Sequence, residues 1–391
     1  MGRPGHRFFP SSPLQVFAVD TTAIQLAWGH LPLGDVRAVV DGVEFEQHHV
    51  GGPGSLILGN LSPATTYNVA VSWDRAGHRE EGTAELSAST LPELGTRVLG
   101  KFATVNDLHI GARRFGALKT MTDFEPDQEP FALRCARSAI EDAVLWGAEY
   151  LVIKGDALHA QSTENMQVLG NLVDEFSELP MMLLPGNHDV DGRGDLDHLQ
   201  EPVGKRRLHY VDDVAVHEIA GIQIIGANTT IKKKGIGTIT SVRQPIFDSV
   251  RRDTPSVVMI HHQLQQQNVH RYWPPGIPKR EAAEFLTALE QRSPDCLVTC
   301  GHTHRNRRHQ HGKIPIAEVA STRDWPGVWA GYTVFEEGVV QTVRRASAPA
   351  AMRWHEYGRQ AVGGLWSLWS PGKLEDRCFA HRWPSSAGAR S

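Results

Sequence analysis

Where five hydrophobic runs of this chain stop, short polar clusters begin. They are Asp107-Leu-His109, Gly155-Asp156 with His159, Gly186-Asn187-His188-Asp189, His261-His262 and Gly301-His302-Thr-His304. The carboxylates of Asp107 and Asp156, the amide oxygen of Asn187 and the surrounding imidazoles are donors that divalent transition metals prefer. A single histidine at a strand end is usually a hydrogen-bonded structural residue. Five clusters in this order point instead to a site holding two metal ions.

The elements that must position these donors can be read from the runs themselves. Phe102–Val105, Tyr150–Ile153, Met181–Leu184, Val257–Ile260 and Cys296–Cys300 are short and continuously apolar, as strands buried on both faces are. In layered α/β proteins the loops leaving the carboxyl ends of such strands meet at one crevice. Between the clusters, residues 130–147 and 166–177 have helical periodicity. The first of these places Phe131, Leu133, Cys135, Ala139, Ile140, Val144 and Trp146 broadly on one side. Later runs at Ile222–Ile225, Gly331–Phe335 and Gly338–Val343 suit a second sheet.

The chain closely resembles the calcineurin-like metallophosphoesterases, whose pattern is Asp-x-His, Gly-Asp, Gly-Asn-His, His, Gly-His-x-His. The resemblance covers roughly residues 97–345. It implies an α/β architecture of two packed β-sheets flanked by helices, a four-layer sandwich. It further implies that Asp107, His109, Asp156 and His304 hold one metal, and that Asp156, Asn187, His261 and His302 hold the other, with Asp156 bridging. The reaction it implies is hydrolysis of a phosphate ester by a metal-bridging hydroxide, since paired divalent ions clamp the reacting oxygens and acidify bound water. His188 would stabilise the transition state or protonate the leaving oxygen.

His159 departs from the common pattern, in which an Asp orients the catalytic His or, in purple acid phosphatases, a Tyr binds metal. A His here also looks like the DNA-repair nucleases related to the SbcCD exonuclease, where a second histidine assists the first. Together with Asp-x-His in the first block it argues against a tyrosinate-bound iron site and favours phosphodiester over monoester chemistry. His188 and His159 are therefore the catalytic candidates. Manganese, iron and zinc suit the ligand set alike. A DNA or RNA nuclease is the competing enzyme reading, and a non-catalytic partner-binding protein with a vestigial metal site is the third.

Residues 11–92 are a different object. Alternating runs at Ala23–Trp28, Val36–Val40, Ser55–Leu58 and Tyr67–Trp73 are separated by Gly- and Pro-containing turns, the signature of an antiparallel sandwich. Leu61-Ser-Pro-Ala-Thr-Thr-Tyr67 resembles the tyrosine corner of fibronectin type III domains, and Trp28 sits where that fold buries its core Trp. Such a domain is expected to act as a spacer, a docking surface for a protein partner or an active-site wall. Residues 346–391 carry Trp354, Trp366, Trp369 and Trp383 and are expected to pack back onto a domain surface, because exposed tryptophans harm solubility.

Composition limits the partners. At 391 residues and a net charge of −4, the chain has no global affinity for polyanions or anionic membranes. No apolar stretch reaches the roughly 18 residues needed to span a bilayer. Met1–Pro10 lacks the apolar core of a secretory signal, and four cysteines at 135, 296, 300 and 378 are too few for a disulfide scaffold, so a cytoplasmic location is expected. The expected partner is a phosphate-ester substrate, with nucleotides and nucleic acid among the candidates; a second copy of the chain could also bind. Candidate substrate contacts are Arg113 beside the first block, His262, and His270 with Arg271 in the aromatic and cationic insert 263–279. Lys232–Lys234 is expected to be a solvated basic run, and His309 and His311 to lie in a polar turn.

Overall fold

The apolar runs before the polar clusters have no polar face to show to water, and each becomes an interior strand. The computed structural model describes residues 13–74, 82–116, 119–125, 127–190, 208–267 and 274–385. A seven-stranded mixed sheet runs in the order Leu208–Tyr210, Met181–Leu184, Tyr150–Lys154, Val98–Val105, Val328–Phe335, Gly338–Arg345, Cys378–Arg382. Its first four strands are parallel, and the rest are antiparallel. A six-stranded sheet runs Val214–Ile219, Ile222–Ala227, Ser256–Ile260, Cys296–Cys300, Ile314–Glu318, Arg307–His311.

Alternation along each strand assigns its side chains to two cores. Phe102, Val152, Leu184, Ile224, Met259 and Leu297 share one cluster between the sheets. Leu151, Ile153 and Leu183 face the helices Phe131–Trp146 and Thr163–Glu175 in a second cluster. On the far side, Val258, Ile260 and Val298 pack on the helix Lys279–Arg292. The first helix ends at Gly147, whose φ of 94° is the left-handed conformation that lets its N–H reach back to the carbonyls of Ala143 and Val144. Of its expected apolar side, Phe131, Cys135, Ala139 and Ile140 are buried, whereas Val144 is exposed. Ser162 caps the next helix through its hydroxyl.

Three expectations need correction. Ile222–Ala227 does join the second sheet, but Val328–Phe335 and Gly338–Arg345 join the first, beside Val98–Val105. Their apolar runs fit either sheet, and pairing cannot be read from a run. His309 and His311 lie in the strand Arg307–His311 rather than in a turn. The Gly- and Pro-containing segments at 29–34 and 51–54 are not turns either. They lie inside two long antiparallel strands, Ile24–Val40 and Val43–Leu58, with an irregularity between Trp28 and Leu31. Gly54 is needed there because a Cβ would stand 2.5 Å from the Trp28 ring.

The amino-terminal region is all-β, with Gln15–Val19, Thr66–Trp73 and Gly82–Ser89 completing it. Its Trp28 is buried, and the Tyr67 hydroxyl accepts the Ser62 N–H at 2.8 Å. This region is fastened to the seven-stranded sheet. Gln25 exchanges two hydrogen bonds with the Arg345 backbone at 3.0 and 3.1 Å, and Asp20 pairs with Arg344. The carboxyl-terminal segment supplies the edge strand Cys378–Arg382. Trp354 and Trp383 are buried, Trp366 is half-buried and Trp369 is exposed. No helix among the described residues is long and apolar enough to cross a membrane.

Candidate metal centre

Five of the strand-end residues share a backbone feature that L-amino acids avoid. Asp107, His109, Asp156, His302 and His304 have φ of 54°, 48°, 49°, 68° and 52°, all in the left-handed region. Strain of this kind persists where surrounding structure over-determines it, and it concentrates at functional sites. Here the surroundings are bonds between strand ends. The Asp107 N–H donates to the Gly155 carbonyl at 3.0 Å, that of His109 to Asp156 at 2.9 Å, and that of Gly301 to His261 at 3.0 Å. Gly155 has no room for a side chain, since a Cβ would meet His261 Nδ1 at 2.2 Å.

The side chains converge. His304 Nε2 lies 3.3 Å from Asp107 Oδ1, His261 Nε2 3.4 Å from Asp156 Oδ1, and His109 Nε2 3.6 Å from Asp156 Oδ2. Donor atoms of Asp107, His109 and His304 lie within 4.8 Å of one another, as do those of Asp107, Asp156 and His261, and of His261, His262 and His302. Three of the rings are held by a bond at one nitrogen. His261 Nδ1 meets the Lys154 carbonyl at 3.1 Å, His302 Nε2 that of Pro275 at 3.2 Å, and His304 Nδ1 the Asp324 carboxylate at 2.7 Å. That is how metal-binding histidines are commonly held.

The donor set fits divalent cations on a specific observation. Asp107 Oδ1, His109 Nε2, Asn187 Oδ1 and His261 Nε2 are buried with no hydrogen-bond partner among the described residues. Asp107 Oδ1, His109 Nε2 and His261 Nε2 have only the ion-pair approaches of 3.3, 3.6 and 3.4 Å given above, and buried polar atoms without a hydrogen bond cost about 1–3 kcal/mol each, so this cluster has donors to offer a cation. Protonation follows the same logic. Burial opposes charge on His304, yet Asp324 and Asp107 push it up to about 10. Burial likewise opposes charge on His261, and Asp156 pushes it up to about 9. Asp107 and Asp156 are held below the usual carboxylate range against burial, by the charges on His304 and His261 respectively. Burial and then His261 push His302 down to about 4.

Around this centre, the His188 N–H donates to Asp156 Oδ1 at 2.8 Å, and its Nδ1 meets the His159 carbonyl at 2.9 Å, leaving Nε2 as the open edge. His159 Nδ1 is 3.5 Å from His109 Nδ1. Burial, then the charge of Arg323, pushes His159 down to about 4. Asp189 is buried and accepts the N–H groups of Gly186, Ala157 and Leu158, which fixes the loop. His262 is buried, with Nδ1 2.9 Å from the Thr229 hydroxyl. Arg113 is exposed, and no described hydrogen bond or ion pair joins it to the cluster. His270 and Arg271 lie outside the described residues. Lys232–Lys234 is exposed.

Sequence reasoning missed Arg323, Asp324 and Trp366. The strand Ile314–Glu318 is followed by Ser321-Thr-Arg-Asp324, so the strand-end rule, applied a sixth time, would have found the first two. Asp324 Oδ2 also accepts Arg323 Nη2 at 3.1 Å, and its Oδ1 accepts Trp366 Nε1 at 3.1 Å.

The family model for calcineurin-like phosphoesterases matches residues 100–306. Among curated proteins there is no match. Similar solved structures include a purple acid phosphatase from yellow lupin (Lupinus luteus) seeds, at 13% identity over 86% of this chain and 72% of that one, with a TM-score of 0.44. A phosphopantetheinyl hydrolase from Mycobacterium tuberculosis has 13% identity over 57% of this chain and 90% of its own, with a TM-score of 0.36. A putative 5′-nucleotidase from Staphylococcus aureus has 18% identity over 63% and 53%, with a TM-score of 0.38. The family match spans every strand-end cluster from Asp107 to His304, and the chain belongs to the calcineurin-like phosphoesterases, hydrolases of phosphoric esters.

Proposed function

We propose that the chain hydrolyses phosphate esters at a binuclear metal centre, with diesters favoured over monoesters. The carrying observation is the convergence of buried carboxylate and imidazole donors from Asp107, His109, Asp156, His261 and His304, several of them without a hydrogen bond among the described residues. Asp107, His109, Asp156 and His304 would hold one cation, and Asp156, Asn187, His261 and His302 the other. Bound there, divalent ions supply Lewis acidity toward a phosphate ester and lower the pKa of water.

The chain's own groups do the rest. His188, whose Nδ1 is taken by the His159 carbonyl, keeps Nε2 to deliver a proton to the departing ester oxygen. The His159 carbonyl fixes the tautomer of His188, and the His159 ring lies beside it. That second imidazole, standing where the common pattern has an Asp, is the support for a diester. In the amino-terminal region, the Ser62–Tyr67 bond and buried Trp28 support a fibronectin type III-like domain that braces the seven-stranded sheet rather than taking part in catalysis.

Steady-state hydrolysis of bis-p-nitrophenyl phosphate and p-nitrophenyl phosphate with added manganese tests the reading. The diester should have the higher kcat/KM, and chelation should abolish both activities. Protein that carries its metals and turns over neither ester would overturn it.

A further inference from the structure

Next to the carboxylates lies a corner made of nitrogen bases. His109, His159 and His188 bring ring nitrogens within 4.8 Å of one another. The His159 and His188 rings lie at 19° with centroids 5.4 Å apart, and His109 meets His188 edge-on at 4.7 Å. Arg323, 5% exposed, pairs with the Asp324 carboxylate that holds His304, whose ring lies 5.4 Å from that of His109. Phe115 covers the guanidinium, its ring centroid 5.1 Å from Cζ.

Arg323 is incompletely matched. Nη2 donates to Asp324, but Nε is buried without an acceptor among the described residues. The Asp324 oxygens also accept His304 and Trp366, and no described bond joins either of them to Arg323 Nε. A buried guanidinium N–H left without an acceptor is unfavourable. With two dications bound, Asp107, Asp156 and Asp324 would supply three negative charges against five positive ones, those of the ions and the guanidinium. What the corner lacks is an oxyanion, and a guanidinium suits phosphate better than any other side chain.

We propose that Arg323 is a substrate-binding residue: its guanidinium takes the non-bridging oxygens of the phosphate ester and of the phosphate product. This deepens the hydrolytic reading above and rests on it. The alternative role is purely structural, in which Arg323 only anchors Asp324 and through it His304.

The test uses the full chain loaded with manganese and the variants Arg323→Gln and Arg323→Lys. Inorganic phosphate binding is measured by calorimetry, metal content by elemental analysis, and KM and kcat on bis-p-nitrophenyl phosphate. Arg323→Gln should keep its metals, bind phosphate about 10- to 100-fold more weakly and raise KM by a similar factor, as expected for losing hydrogen bonds to a charged group. Arg323→Lys should recover part of the loss and also covers the case in which Arg323→Gln does not fold. Unchanged phosphate binding, or loss of metal from Arg323→Gln in step with its loss of phosphate, would overturn the proposal. Wild-type protein that binds phosphate yet cleaves neither ester would instead sink the hydrolytic reading and leave the binding result standing.

Discussion

The Asp324 carboxylate holds His304 Nδ1 at 2.7 Å and so turns the opposite nitrogen, Nε2, toward Asp107 Oδ1 at 3.3 Å. Trp366 secures the other Asp324 oxygen, and the Ser370 hydroxyl donates to the His304 carbonyl. The carboxyl-terminal segment thus reaches the metal centre through one carboxylate. Replacing a partner of this kind typically lowers metal affinity about 10- to 100-fold. Asp324→Asn is expected to fall in that range in a competition titration against a chelating dye. Equal affinity in the variant would remove Asp324 from the account.

The position of His188 makes a separable prediction. Its backbone N–H holds Asp156, and that bond survives truncation of the side chain. His188→Ala should therefore retain its metals while kcat on bis-p-nitrophenyl phosphate falls about 10²- to 10⁴-fold. A variant with full metal content and near-normal turnover would show that the imidazole does not serve the leaving group.

Much of this site was legible because its chemistry is periodic in a simple sense: an apolar run, then a polar cluster, repeated from Phe102–Asp107 to Cys296–His304. Buried strands must be apolar, and functional groups collect at their carboxyl ends. Arg323 and Asp324 escaped because they follow Ile314–Glu318 after a longer connection and lack a histidine to flag them. Sheet membership escaped for a different reason. Val328–Phe335 is apolar whether it joins either sheet, and only its antiparallel register with Val98–Val105 decides. In the amino-terminal region, Gly29, Pro32 and Gly34 are usual turn residues, yet pairing on both flanks carries Ile24–Val40 straight through them.

The charge state of the centre predicts how metal enters it. His304 and His261, pushed up to about 10 and about 9, carry protons at neutral pH in the metal-free protein. Their folded values lie above the unfolded one, so the stability these ion pairs lend is complete below pH 6.5 and is lost as pH rises through 9 to 10. A cation needs both rings neutral, so loading at pH 7 should release about two protons, and affinity should climb with pH. Calorimetric titration with manganese in two buffers of different ionisation enthalpy measures the release. Identical heats in both buffers would contradict it.

Lys154 offers a test of packing apart from catalysis. Its ammonium is buried between the sheets, where Nζ donates to the Thr299 hydroxyl at 2.9 Å, and burial pushes it down to about 8 from 10.5. A folded value below the unfolded one means the contribution to stability is complete above pH 10.5 and is lost as pH falls through 8. At pH 7 the fold therefore bears the full cost of a buried charge, at most about 3 kcal/mol by the free-energy equivalent of the shift. Lys154→Met keeps similar volume and removes the charge, and Thr299 retains its contact with the Tyr332 hydroxyl at 3.2 Å. The variant should melt higher than wild type at pH 7, compared in the same metal state, and the gap should narrow toward pH 10. A lower Tm at pH 7 would mean that the Lys154–Thr299 bond is worth more than the desolvation it costs.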